Sequence, residues 1–138
     1  MIKKTVRFRY RHKDVKAAVK RDSHGKCIYC ETPTEFGQTD HINPVSKCPD
    51  RVVDWDNLAF VCTECNTHKS DYYDPDAPLV NPFVDDPAEF LSFLGPFVMA
   101  APDNHRGQLT LLQLKLNRPD LFQRRFRRLT SLEPLLHQ

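Results

Sequence analysis

The chain has 138 residues, 40% of them hydrophobic, which suits one small domain with appended arms and is marginal for two independent cores. The longest nearly apolar run, residues 91–101, is broken by Gly95-Pro96 and too short to span a bilayer, and no signal-peptide pattern opens the chain. A cytoplasmic protein with no membrane partner is therefore expected. The net charge of +2 hides an uneven spread: residues 1–26 carry ten Lys/Arg against two acids, residues 27–105 three against fourteen, and residues 106–138 seven against two. Basic arms around an acidic centre suit a chain whose ends grip a polyanion while its centre gathers cations, because Lys/Arg contacts to phosphate supply most sequence-independent affinity for nucleic acid.

The expected organisation is a basic N-terminal arm over 1–26, a core over 27–70 and a C-terminal extension over 71–138 within a single domain. Val6-Arg7-Phe8-Arg9-Tyr10-Arg11 alternates apolar and basic residues, which predicts an extended segment with Arg7, Arg9 and Arg11 on one cationic side. Val15, Ala18 and Val19 have helical spacing over 13–21, and Ser23-His24-Gly25 ends that helix. Cys27-Ile28-Tyr29-Cys30 and Cys62-Thr63-Glu64-Cys65 follow as two pairs whose spacing lets both sulfurs of each reach one ion at about 2.3 Å. Two such knuckles predict a structural Zn²⁺ on Cys27, Cys30, Cys62 and Cys65 rather than a disulfide framework, with Cys48 left over. A four-thiolate zinc has no open position, so chemistry must fall to neighbouring groups.

The interval between the knuckles carries Asp40-His41 on an extended run that Asn43-Pro44 breaks. Lys47 to Asp50 reads as a loop, Trp55 to Val61 as an apolar strand entering the second knuckle, and a helix is expected from near Cys65-Asn66. The sum is a ββα unit. Residues 71–78 are acidic and Pro-rich, hence irregular. Asp86-Pro87 predicts a helix running through Leu94 to Gly95-Pro96, and residues 97–100 a strand. Leu109, Leu112 and Leu116 have helical spacing, with a strand as the alternative. His105 reads as an ordinary surface histidine. Pro119 then opens a helix with Phe122, Phe126 and Leu129 on one face and Arg124, Arg125, Arg127 and Arg128 on the other, fit to lie along a phosphate backbone, to stay solvated or to dock a protein.

Taken together, Cys27-x-x-Cys30, Asp40-His41-Ile42-x-Pro44, Asn57-Leu58 and Cys62-x-x-Cys65-Asn66-x-x-Lys69 resemble the zinc-knuckle form of the HNH endonuclease family, in family order over residues 27–69. The resemblance implies an α+β chain with a ββα-metal, treble-clef-like core. It implies His41 as general base, Asp40 and Asn66 as ligands of a catalytic Mg²⁺ or Mn²⁺, Asn57 as the asparagine that holds the His41 loop, and Lys69 as a closing basic residue on nucleic acid. Many relatives use a histidine as the last metal ligand, so His68 competes with Asn66. A helix N-cap is the alternative role for Asn66, and a solvent-facing position that for His68. The chemistry agrees: phosphodiester hydrolysis needs an activated water and charge neutralisation, imidazole titrates near neutrality, and Asp and Asn oxygens suit a hard cation.

Asn81-Pro82-Phe83-x-Asp85-Asp86-Pro87 and Leu116-Asn117-Arg118-Pro119-x-Leu121 are similar to the C-terminal part of small HNH nucleases of bacterial anti-phage operons, Septu-type and retron-linked, which act beside an ATPase partner. The expectation is a DNA endonuclease with such a sensor subunit. The alternative is a non-catalytic, zinc-stabilised module that binds nucleic acid or protein.

Overall fold

The computed structural model describes residues 11–138, so Arg7, Arg9 and the segment expected around them lie outside the described residues. Helix α1 (Lys13–Asp22) forms where apolar spacing predicts it, capped by His12, whose ring accepts the Asp14 N–H. Its buried side chain, Val19, packs with Leu58 and Phe60. Strands β1 (Gln38–His41) and β2 (Leu58–Val61) pair antiparallel, Gln38 opposite Val61 and His41 opposite Leu58. Helix α2 (Thr63–Lys69) follows at once, completing the expected ββα unit.

All four β2 residues are buried because both faces are covered. Leu58 and Phe60 meet α1, while Ala59 and Val61 meet the cysteine-lined cluster with Cys27, Cys62 and Cys65. The boundaries move slightly: Trp55–Asn57 form a 3-10 turn ahead of β2, and α2 begins at Thr63. Its N-cap is Cys62, whose Sγ accepts the Cys65 N–H at 3.3 Å. Asn66 therefore lies inside the helix and is not its cap.

The C-terminal extension departs from expectation at one element. Asp86 caps a helical turn, accepting the Ala88 N–H, but that turn closes after Glu89. Residues 91–94 then form strand β3 (Leu91–Leu94), paired with β4 (Phe97–Ala100). Gly95, with φ +57°, supplies the positive φ that a two-residue hairpin needs at its first central position. Gly95-Pro96 thus reverses the chain between strands instead of stopping a helix.

Helices α3 (His105–Gln113) and α4 (Pro119–Leu136) follow. The leucine pattern does form a helix, but Leu112 faces solvent, and the buried leucines are Leu114 and Leu116 beyond its end. With Leu79, Val98 and Leu121 they make a second cluster. Tyr29 and Cys30 pack against both clusters and so join the first knuckle to the extension. On α4, Leu121 is the buried residue, Phe122 packs edge-on against Phe97 at 4.8 Å, and Phe126 and Leu129 stay exposed.

Just before β1, Gly37 lies against the buried Phe60 ring, where an added Cβ would come within 2.3 Å of Cζ. Gly37→Ala must therefore displace the ring beneath β1. A loss of about 1–3 kcal/mol is expected, read as a lower midpoint of urea unfolding; an unchanged midpoint would show that Phe60 moves aside at no cost.

Candidate active site and metal centre

The two knuckles bring Cys27, Cys30, Cys62 and Cys65 together with every Sγ within 4.8 Å of the others. None of the five cysteines is in a disulfide. Sulfurs about 2.3 Å from a shared tetrahedral ion stand about 3.8 Å apart, and Cys30 Sγ lies 3.7 Å from Cys62 Sγ. Hydrogen bonding among the four sulfurs lowers the pKa of Cys62 and raises that of Cys65. Residues and geometry fit a structural zinc.

His41 closes β1 and is buried. Its Nε2 lies 2.9 Å from the Val52 carbonyl. A carbonyl only accepts, so Nε2 carries the proton and, in the neutral ring, the basic lone pair is on Nδ1. Asn57 fixes the loop that presents Val52. Its side chain accepts the Asn43 N–H at 2.8 Å and donates to the carbonyls of Asn43 and Arg51 at 3.1 and 3.2 Å. The Ile42 N–H donates to the Asn57 carbonyl. One buried amide therefore ties both sides of the 42–57 loop and sets the carbonyl that orients the imidazole.

Gln38 and Asp40, alternate residues of β1, meet Asn66 and Lys69, which sit three apart on one face of α2. Asn66 Nδ2 donates to Gln38 Oε1, and Lys69 Nζ lies 2.9 Å from Asp40 Oδ2. Lys69 also donates to the His41 carbonyl at 2.7 Å and is 1% exposed, so it is not a nucleic-acid contact. Packing against β1 turns this ammonium inward, where it neutralises Asp40 and fastens the strand end. The Lys69–Asp40 contact is close but not aligned as a hydrogen bond, and Asp40 Oδ2 is buried with no hydrogen-bond partner.

A cleft of about 380 Å³ opens over His41, lined also by Arg11, Lys16, Gln38, Thr39 and Asn66. Of the expected nucleic-acid residues, Arg11 borders it. Lys16 and Gln38 were not singled out in the sequence; the packing of α1 beside β1 gives Lys16 its place. Neither Asp40 nor His68 lines this cleft: Asp40 is drawn onto Lys69 beneath α2, and His68, two residues from Asn66, lies off the face that Asn66 and Lys69 share, its carbonyl accepting from Gln113. Arg124, Arg127 and Arg128 are exposed on α4. Arg125 departs from that face: it donates to the carbonyls of Pro96 and Leu116 and lies over the Phe93 ring, held by the hairpin that replaces the expected helix. A second cleft, of about 450 Å³, lies between Asn43, Arg51 and the 72–85 stretch and is lined by none of Asp40, His41 or Asn66.

Residues 27–72 match the family model described as HNH endonuclease. The chain is 30% identical over 110 residues to the Septu protein PtuB of Bacillus thuringiensis, a match covering 77% of this chain and 42% of that protein. It is 25% identical over 150 residues to the Septu protein PtuB of Bacillus mycoides (strain KBAB4), covering 84% and 51%. The chain spans about half the length of the curated relatives it matches. The paired knuckles, the ββα unit and the Asp-His strand end all fall within residues 27–72, the segment that matches the HNH endonuclease model, in a chain similar to the Septu PtuB proteins.

Proposed function

We propose that this protein is a metal-dependent endonuclease that hydrolyses DNA phosphodiester bonds in its His41 cleft. The observation that carries the reading is the Val52 carbonyl 2.9 Å from His41 Nε2, which favours a proton on Nε2 and so supports Nδ1 as the base. His41 takes the proton of the attacking water at Nδ1, and the imidazolium that forms keeps the Val52 carbonyl as a hydrogen-bond acceptor. Asn57 holds that carbonyl in place through Arg51 and Asn43.

Asp40 and Asn66 are proposed to hold the catalytic ion, in preference to His68. Asp40 offers a carboxylate whose Oδ2 is already ion-paired to Lys69, and the Asn66 amide, held through its nitrogen by Gln38, has its carbonyl oxygen as the donor atom. Two protein oxygens completed by waters are a common setting for Mg²⁺ or Mn²⁺. Bound there, the ion would supply Lewis-acid neutralisation of the phosphate and the departing 3′ oxygen. Lys69 lowers the negative charge of Asp40 without leaving the interior. Lys16 and Arg11 bring positive charge to the cleft wall, where they seat the phosphate backbone. Exposed Arg124, Arg127 and Arg128 extend that grip.

The likeness to Septu proteins supports a role in anti-phage defence, and a cytoplasmic setting beside an ATPase or other sensor subunit is proposed from the resemblance of the 81–87 and 116–121 motifs to nucleases of such operons. Among the described residues no helix is long and apolar enough to cross a membrane.

Plasmid cleavage, measured with the chain alone and co-produced with its neighbouring ATPase-type subunit, is expected to require Mg²⁺ or Mn²⁺ and to stop with EDTA. His41→Ala should lower the rate about 10²- to 10⁴-fold with zinc content unchanged; metal-dependent cutting that survives this substitution contradicts the assigned base. Lys16→Ala should weaken DNA binding and reduce the slope of log affinity against log salt by about one, and an unaltered slope removes Lys16 from the phosphate contacts. Lys69→Met, by contrast, leaves Asp40 buried and unpaired. It is expected to cost about 3 kcal/mol of stability in urea unfolding, whereas lost DNA affinity at full stability would return Lys69 to the nucleic-acid surface.

A further inference from the structure

The Leu116-Asn117-Arg118-Pro119 run has no part in the reaction at His41. Two of its residues do local work: the Asn117 side chain pairs with both the N–H and the carbonyl of Val98 at 2.8 Å, and Pro119 opens α4. Arg118 turns instead into the interior, 9% exposed. Its Nη1 and Nη2 lie 3.5 and 3.6 Å from Cys65 Sγ, and Nη2 lies 3.9 Å from Cys62 Sγ. Nη1 also donates to the Leu114 carbonyl at 3.0 Å. The nearby carboxylates, Asp120 at 3.2 Å and Glu64 at 3.6 Å, sit at Nε and are largely exposed. A guanidinium withdrawn from water needs anionic partners on its buried side, and there the fork meets sulfur.

A zinc bound by four thiolates carries two negative charges in excess, and sulfurs bearing that charge are far better hydrogen-bond acceptors than neutral thiols. We propose that Arg118 is an outer-sphere partner of the zinc centre, its fork donating to the Cys65 and Cys62 thiolates and offsetting their charge. Because Arg118 enters from the turn between α3 and α4, zinc binding and docking of the C-terminal extension become two sides of one equilibrium. By reciprocity, whatever Arg118 adds to zinc affinity, zinc adds to the docking of α4. The inference rests on the sulfur tetrad and Arg118, and stands whether or not the chain cuts DNA.

The test uses the full chain with Arg118→Gln, Arg118→Lys and Asn117→Ala, the last disturbing the same turn without touching sulfur. Zinc affinity is measured against a chromogenic chelator. The sulfur-to-metal charge-transfer band is recorded after Co²⁺ replacement, and hydrogen exchange of residues 119–136 is followed with and without zinc. Arg118→Gln is expected to weaken zinc binding about ten- to hundredfold and to move the band to lower energy, since thiolates stripped of a donor are oxidised more easily. Arg118→Lys, which keeps the charge but loses the fork, should fall between, and Asn117→Ala should leave the band in place. In the parent chain, removing zinc should speed exchange along α4. If Arg118→Gln fails to fold, the band of Arg118→Lys decides. An unmoved band with zinc affinity within twofold of the parent, an equal band shift in Asn117→Ala, or α4 exchange indifferent to zinc would each overturn the proposal.

Discussion

Four sulfurs within 4.8 Å of one another are the constraint on which this structure depends. The strands of the core are four residues long and its apolar clusters small, too little on their own to hold a sheet in register. The tetrad fastens the turn at 27–30 to the junction of β2 and α2, and a metal there converts binding energy into folding energy. With β2 fixed by sulfur on one face and by α1 on the other, β1 has one place to pair. That register sets Asp40 opposite Ala59 and His41 opposite Leu58.

A buried polar layer then refines what the sulfurs fix coarsely. Asn57 and Lys69 are each 1% exposed, and both spend their hydrogen bonds on the backbone around His41. Asn57 ties the loop on one side of the imidazole, and Lys69 ties the His41 carbonyl and Asp40 on the other. Neither reaches the cleft as a reagent. Their work is to keep the ring and the carboxylate from relaxing, because a shift of a fraction of an ångström would misplace the general base proposed at His41.

What the sequence made legible was chemistry at fixed spacing. The paired CxxC motifs, the Asp-His strand end and the ββα order follow from local rules and are present in the fold, while the place of Asn57 came from the family resemblance, and its side chain bonds to the backbone on both sides of the 43–57 loop. What it concealed were pairings between distant segments. Residues 91–94 carry no signal that they will meet 97–100, and a Gly-Pro after an apolar run reads equally as a helix stop or a hairpin turn, so the missing partner strand decided the error. That one misreading also misplaced Arg125, because helical periodicity puts it with the other arginines, and only the hairpin offers it the Pro96 carbonyl, beside the Leu116 carbonyl of the turn before α4. Lys69 shows the same limit. A lysine closing a motif reads as a surface cation, yet the face of α2 it occupies is the one β1 covers.

The sharpest check is to locate both ions at once. Crystals of the zinc-loaded protein soaked with Mn²⁺ and a non-hydrolysable phosphodiester would be measured by anomalous scattering at the two metal edges. The account predicts zinc at the centre of Cys27, Cys30, Cys62 and Cys65, and manganese bound by the side-chain oxygens of Asp40 and Asn66 with His41 Nδ1 facing the phosphate. Manganese held by His68, or found only away from Asp40 and Asn66 with the phosphodiester bound elsewhere, would contradict it.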